Sequence, residues 1–462
     1  MFHRIKQLTL LGGDWLALYL ALYASLWLRY LKLPADQWNE LFYPMTHLFI
    51  LAAAVFFILG LYDLNQSKNR WPFFQKIFIA MAIWIFLGIL YFYLNQKITA
   101  QPKTIILLTA VFGAAFISGW RALHNKFLSK SMLKTNIVFA GVTPETNELM
   151  EKIKSEPELG YEIVGIIKGK NETIQEALPG LDGERAAETL AGLTNGKNRP
   201  VQMVIVSPAM AQSAELSKEL YAQLFVQTSV VSLAEFYEQV LKRIPPFTFS
   251  ESWFLTNLNE QKKKIYDRFR IFIDFIFAAL MAVVFAVTYP FIALAIKLNS
   301  PGPVFFIQER VGRNGAIFKI IKYRSMQTLS DDGSAETAGA QYAAENDVRI
   351  TPVGNFLRKV RLDELPQFIN IFKNEMSLVG PRPERPEFVA TLSAEMPYYA
   401  LRHLIKPGLT GWAQIQKSYY GTIEENLRKL EYDLYYLKNR GLLLDIAIIL
   451  RTFIILGRMA GR

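Results

Sequence analysis

A mixed membrane protein is expected from this sequence: four N-terminal transmembrane helices, a small parallel α/β domain, and an α-rich domain anchored by a re-entrant membrane helix. Three observations lead there. Apolar residues make up 52% of the chain but crowd into residues 8–122 and 271–298, while 135–250 and 300–440 have the balance of ordinary soluble protein. Strand-like runs begin at Asn136. The late apolar stretch, 271–296, has basic residues at both ends and Pro290 inside it.

Four apolar stretches open the chain, at residues 8–28, 42–61, 73–94 and 104–120. Each is near the ~20 residues that cross ~30 Å of hydrocarbon. His3, Arg4 and Lys6 precede the first, which is too long for a signal-peptide core and has no A-x-A site after it, so it is expected to remain as an anchor. Lys68, Arg70 and Lys76 crowd the second connection, and Arg121, Lys126, Lys130 and Lys134 follow the fourth stretch. Positive charge staying inside puts both ends of the bundle in the cytoplasm. The outer connections hold mainly Arg29, Lys32, Lys97 and Lys103.

Runs at 136–142, 161–167 and 201–207 read as strands, separated by polar helical stretches such as 144–154 and 211–225. This is a parallel α/β pattern similar to a Rossmann fold. Its first turn, Ala140-Gly141-Val142-Thr143-Pro144, lacks the second and third glycines that admit a pyrophosphate, so the domain is degenerate and a packing or regulatory role is expected. Residues 241–264 read as a linker. Beyond it, Arg268 and Arg270 precede the apolar run and Lys297 follows it. A true fifth span would carry the arginine-rich remainder across the membrane. Pro290 offers a bend that returns the helix to the same face, the alternative being a kinked span. The apolar tail 442–456 contains Asp445 and Arg451 and reads as interfacial, because charges at the bilayer centre are costly. Residues 330–344 read as a mobile acidic loop.

The net charge of +11 does not signal nucleic acid, since no nucleic-acid-binding motif is present; lipid headgroups and phosphorylated substrates suit these basic clusters better. With no cysteine, disulfides, thiolate metal sites and cysteine nucleophiles are excluded.

Chemistry gathers between Gln308 and Asp433. In Arg361-Leu362-Asp363-Glu364-Leu365-Pro366-Gln367, Pro366 is expected to open a helix through Phe372, with Asp363 and Glu364 at its positive end. Acids that merely cap a helix would look the same. Arg310, Arg313, Lys322, Arg324, Arg349, Arg358, Arg361, Arg382 and Arg385 surround the pair in sequence, and guanidinium groups suit phosphate. An acidic pair in a basic neighbourhood suits phosphoryl transfer: one carboxylate attacks phosphorus while the other helps hold a divalent ion. With no cysteine and four scattered histidines, Mg²⁺ on carboxylate and diphosphate oxygens is the expected cofactor. The segment Val379-Gly380-Pro381-Arg382-Pro383-Glu384-Arg385-Pro386 is a stiff loop presenting two arginines, though a plain connector remains open. Residues 406–412 form a similar rigid turn, with Lys406 available to a phosphate and Trp412 to packing or the membrane surface.

In order and spacing these segments resemble the monotopic phosphoglycosyltransferases in their long form, the bacterial sugar transferases that begin assembly of exopolysaccharide, capsule or O-antigen. The matching stretches are Arg-Ile-Phe-Ile-Asp-Phe from Arg270, Gln-Glu-Arg-Val-Gly from Gln308, Phe-Lys-Ile-Ile-Lys-Tyr-Arg-Ser-Met from Phe318, Leu-Asp-Glu-Leu-Pro-Gln from Leu362, and residues 375–384, 406–414 and 431–436. The resemblance implies that residues 299–462 are a catalytic domain, after a transmembrane region (1–122), a Rossmann-like domain (135–240), the linker and a re-entrant helix (265–298). It implies transfer of hexose-1-phosphate from a UDP-sugar to polyprenyl phosphate with release of UMP, at the cytoplasmic side of a bacterial inner membrane. Asp363 would be the nucleophile and Glu364 its partner near Mg²⁺. Arg382, Pro383 and neighbouring loop residues would hold the nucleotide end, Lys322 and Arg324 the diphosphate, and Asp433 would support the site. Residues 416–421 depart from the Asn-Gly-Arg of many relatives, which leaves the sugar open; a homodimer is a further expectation. Two rivals are a membrane-bound nucleotide-sugar dehydratase, for which the only Tyr-x-x-x-Lys pair is Tyr93 with Lys97, and a non-catalytic scaffold.

Overall fold

The computed structural model describes residues 2–31, 35–62, 71–95, 103–128, 134–167, 186–187, 201–214, 218, 221, 228–246, 251–258, 263–327, 349–416 and 422–457. The expected acidic loop at 330–344, residues 417–421 and most of the helical stretch 211–225 lie outside them. The chain forms two compact units, Met1–Leu241 and Lys242–Arg462.

The first unit begins with α1 (Phe2–Tyr30), α2 (Ala35–Ile58), α3 (Trp71–Leu94) and α4 (Lys103–Leu128), each long and apolar enough to cross a membrane. Several of their buried polar groups are paired internally, as an apolar medium favours. Arg121 on α4 pairs with Asp14 on α1, both almost fully buried, and also donates to the Leu61 carbonyl. Trp84 donates to the Leu48 carbonyl at 2.7 Å.

A five-stranded parallel sheet follows, built from β1 (Thr135–Ala140), β2 (Tyr161–Ile167), β3 (Ala186–Ala187), β4 (Met203–Val206) and β5 (Ser229–Ser232) in the order β3-β2-β1-β4-β5. Three of these match the strand-like runs. On one face the sheet packs against α5 (Pro144–Ser155), capped by Thr143, and against α7 (Leu233–Leu241); the short α6 (Pro208–Ala211) lies between them in sequence. Ile137, Phe139, Leu149, Phe236 and Tyr237 form the centre of that core, each at most 1% exposed.

In the second unit, α8 (Glu251–Asn257) precedes α9 (Lys264–Asn299), a helix of 36 residues and therefore about 54 Å long. It runs without interruption through Pro290, where a break had been expected. Its inner side packs on an antiparallel hairpin, β6 (Phe305–Val311) and β7 (Ile317–Tyr323), through Ala278 against Phe318 and Ile320, and through Ile292 and Ile296 against Tyr323 and Leu357. Its outer side exposes Phe272, Leu280, Val283, Val287, Phe291 and Leu294. The remaining elements are α10 (Pro352–Lys359), a 3-10 segment (Leu362–Gln367), α11 (Phe368–Phe372), β8 (Ser377–Val379), α12 (Pro386–Glu395), a second 3-10 segment (Tyr399–Leu404), β9 (Gly408–Thr410), α13 (Trp412–Gln416), α14 (Ile423–Asn439) and α15 (Leu442–Gly457). β8 and β9 pair in parallel.

Candidate active site

The acidic pair is built by the turn after α10. Arg361 adopts a left-handed conformation (φ 60°), which ends α10 and starts the 3-10 segment holding Asp363 and Glu364. The acids thus lie inside a 3-10 turn that contains Pro366, rather than ahead of a helix opened by it. Both are buried, at 8% and 7% exposure. A buried carboxylate needs partners, and the two acids meet this need differently. Glu364 Oε1 accepts from Lys322 Nζ at 3.0 Å and from Arg382 at 2.8 Å. Asp363 Oδ1 has no hydrogen-bond partner among the described residues.

The charges follow. Burial opposes ionisation of Glu364, but Arg382, Lys322 and Arg361 outweigh it and hold its carboxyl well below the usual range. For Asp363, burial and the Glu364 charge outweigh Lys322, Arg358 and Arg361 and push its carboxyl up to about 6. One acid is a fixed anion clamped by cations. The other is a more basic carboxylate with an uncommitted oxygen, the division of labour expected of a nucleophile and its partner.

The hairpin and the loop after β8 deliver the cations. Asn370, on the helix that follows the dyad, ties that helix to β7: its side chain accepts from Ile321 N at 3.2 Å and donates to the Lys319 carbonyl at 2.8 Å. The proline loop leaves β8 at Gly380, where a Cβ would come within 2.6 Å of the Lys406 carbonyl, so only glycine permits the close approach of the turn before β9. Asp433 lies on α14, whose start is fixed by a capping box between Thr422 and Glu425. It is 1% exposed and paired with Arg402 at 2.8 Å, and Arg402 donates to the Arg382 carbonyl at 2.9 Å.

Lys322, Glu364 and Arg382 are therefore in direct contact, Arg361 acts on both acids through its charge, and Asp433 reaches the site through Arg402. Pro383 contributes its carbonyl to Arg310 at 3.1 Å. Arg385 faces Glu387 at 3.4 Å. Arg324 is turned elsewhere: it donates to the Ser300 and Pro301 carbonyls at the end of α9, 2.7 Å from the former, where it caps the helix. Lys406 donates to Asn374, and the buried Trp412 donates to the Lys242 carbonyl at 3.1 Å, a packing role. Arg402 and the pair of Glu384 with Lys429 were missed in the sequence. Their signal was charge on a buried face: Lys429 and Asp433 share α14 with the buried Leu430, Leu434 and Leu437.

The residues fit a hard divalent cation. Asp363 offers an unpartnered buried oxygen beside a second carboxylate, and no cluster of three ligating side chains exists among the described residues. Mg²⁺ suits such a site, because it keeps several waters and binds through one or two carboxylates plus phosphate oxygens.

The long apolar helices are those of a membrane-associated protein, and its relatives are transferases. Residues 265–458 match the bacterial sugar transferase family, and residues 57–231 match the family described as CoA-binding domain. The chain is 31% identical over 346 residues to the UDP-glucose:undecaprenyl-phosphate glucose-1-phosphate transferase of Escherichia coli (strain K12), covering 72% of this chain and 69% of that protein. It is 28% identical over 462 residues to the protein of the same name from Klebsiella pneumoniae, covering 95% and 93%. A 48% identical match over 160 residues, with the UDP-N-acetylgalactosamine-undecaprenyl-phosphate N-acetylgalactosaminephosphotransferase of Aeromonas hydrophila, spans 35% of this chain and 37% of that relative. The chain belongs to the bacterial sugar transferase family.

Proposed function

We propose that this protein transfers a hexose-1-phosphate from a UDP-sugar to undecaprenyl phosphate, releasing UMP, as the first step of assembling an exopolysaccharide or related glycan. The observation that carries the proposal is the asymmetric acid pair: Glu364 is clamped by Lys322 and Arg382, while Asp363 keeps an open oxygen.

In the first half-reaction an Asp363 carboxylate oxygen attacks the β-phosphorus of the donor. The bond from that phosphorus to the bridging oxygen breaks, and UMP leaves with the oxygen. Lys322 and Arg382, both bonded to Glu364, are the cations available to stabilise charge on the diphosphate, and the arginine fork suits phosphate geometry. In the second, a phosphate oxygen of the polyprenyl lipid attacks the same phosphorus and expels the Asp363 carboxylate. Arg358 and Arg361, whose charges act on Asp363, lie at the end of α10, which packs against α9 through Leu357. Mg²⁺ held by Asp363 and Glu364 would screen the donor's negative charge.

The arrangement of α9 supports a re-entrant anchor on the cytoplasmic side. The helix touches the rest of its unit from Arg270, bonded to Ser377, to Ile296, packed on Tyr323, before and after Pro290. That interval is about 39 Å, longer than the ~30 Å hydrocarbon core. A straight span would draw the polar hairpin into hydrocarbon with it. The four N-terminal helices are read as spans whose basic ends face the cytoplasm, and the parallel sheet as a Rossmann-like domain without a cofactor. Its first turn is filled: a Cβ on Gly141 would lie 2.1 Å from Ser207 Oγ.

The test is UMP release from a panel of UDP-sugars by the purified chain with undecaprenyl phosphate. Release that requires the lipid for turnover supports the assignment. A 4-keto sugar product, or no release with any donor, refutes it.

A further inference from the structure

The proline loop is stiffened locally by its prolines, which leave it few hydrogen bonds of its own. Pro381 and Pro383 have no N–H to donate, and the residues between β8 and α12 form neither helix nor strand. Each of four successive carbonyls is held from outside instead. Pro381 O accepts from Gly408 N at 2.9 Å, Pro383 O from Arg310 at 3.1 Å, and Glu384 O from Val311 N at 2.9 Å. The Arg382 carbonyl accepts from Arg402 at 2.9 Å.

Arg402 is 2% exposed and each of its three guanidinium nitrogens has a protein partner. Besides Arg382 it donates to Asp433 Oδ2 through Nε at 3.1 Å and to the Tyr399 hydroxyl through Nη1 at 2.8 Å. Those partners all lie within the protein. Its connection to the acid pair runs through the Arg382 backbone to the Arg382 guanidinium, 2.8 Å from Glu364.

We infer that Arg402 is a positioning residue for donor binding, setting through the Arg382 carbonyl the place where the Arg382 guanidinium meets Glu364 and the phosphates of the UDP-sugar. The inference rests on the donor-site reading above and adds a residue that contacts neither substrate. The planar fork is essential to it. A lysine here would keep a charge for Asp433 but would not reach Tyr399 and the Arg382 carbonyl in fixed directions at once.

A double-mutant cycle in the full-length, detergent-solubilised chain separates positioning from plain packing. Arg402→Lys is expected to raise the KM for the UDP-sugar about tenfold, with the KM for undecaprenyl phosphate within about twofold of wild type and little change in melting temperature. Because Arg402 acts through Arg382, the variant with both Arg402→Lys and Arg382→Lys is expected to be no worse than Arg382→Lys alone. If Arg402→Lys does not fold, Asp433→Asn loosens Arg402 more gently and should give a smaller rise in the donor KM with the same non-additivity. Losses that multiply in the double variant, an unchanged donor KM, or parallel losses for donor and acceptor would overturn the role of Arg402 in an active enzyme. A wild-type chain that releases no UMP would overturn the donor-site reading and this role with it.

Discussion

Lys429 gives the sharpest test of the packing beneath the proline loop. Its ammonium donates to Glu384 Oε1, with the two residues 6% and 5% exposed, and Arg310 lies 3.8 Å from the other carboxylate oxygen. Burial pushes the Glu384 carboxyl up, but Lys429, Arg402 and Arg310 pull it further down, to about 2. A folded-state value below the ordinary 4.5 means that the group contributes stability above about pH 4.5 and loses it as the pH falls towards 2. The shift corresponds to roughly 3 kcal/mol at neutral pH. Lys429→Met leaves Glu384 buried beside Arg310 and Arg402 only, and breaking such a pair costs about 3–5 kcal/mol. The remaining arginines favour the lower end, about 3 kcal/mol, or a fall of roughly 6–12 °C in melting temperature for a unit of this size. Near-UV circular dichroism of the solubilised chain at pH 7 would follow the transition. Combining Lys429→Met with Glu384→Gln should recover part of the loss, because no unpaired charge remains. A shift under about 2 °C for Lys429→Met, or a double variant whose loss equals the sum of the singles, would refute the reasoning.

Three further outcomes are expected. Asp363 must be ionised to attack, and burial and Glu364 push its metal-free carboxyl up to about 6; kcat/KM for the donor should therefore fall about tenfold per pH unit on the acid side, with the limb moving down as Mg²⁺ is raised, and a flat acid side at limiting Mg²⁺ would contradict the assignment. Asn370→Ala removes the bonds to Ile321 and Lys319 that join β7 to the helix after the dyad; it should cost about 2–3 kcal/mol in denaturant melts and raise the donor KM, whereas an unchanged midpoint would show those bonds to be unimportant. Cysteines introduced one at a time at Lys262 and Asn314 should both resist a membrane-impermeant thiol reagent in intact cells, and labelling at 314 alone would mean that α9 crosses the bilayer.

What could be read in the sequence was whatever depends on neighbours along the chain. Hydropathy located the apolar helices, strand-like apolar runs located β1, β2 and β4, and the adjacent Asp363 and Glu364 with Arg382 and Lys322 marked the candidate site. β3 and β5 escaped because one is two residues long and the other is a mostly exposed Ser-Val-Val-Ser, so neither forms an apolar run of strand length. Arg324 was grouped with the phosphate-binding cations because charge alone does not say which way a side chain turns; its guanidinium instead satisfies carbonyls left open at the end of α9. The contact of Arg402 with Asp433 joins residues 31 positions apart on separate elements, and the pair of Glu384 with Lys429 spans 45. Such separations follow no helical or strand period, and only the presence of charge on the buried side of α14 hinted at them.

The central claim is that Asp363 carries the sugar phosphate between donor and lipid. Intact-protein and peptide mass spectrometry after mixing the purified chain with UDP-glucose or another accepted UDP-hexose, without polyprenyl phosphate, tests it most directly. The account predicts release of one UMP per chain and a matching mass gain of one hexose phosphate on the peptide containing Asp363, discharged when undecaprenyl phosphate is added and absent in a folded Asp363→Asn variant. Normal turnover by Asp363→Asn, or a first half-reaction that never proceeds without the lipid, would contradict it.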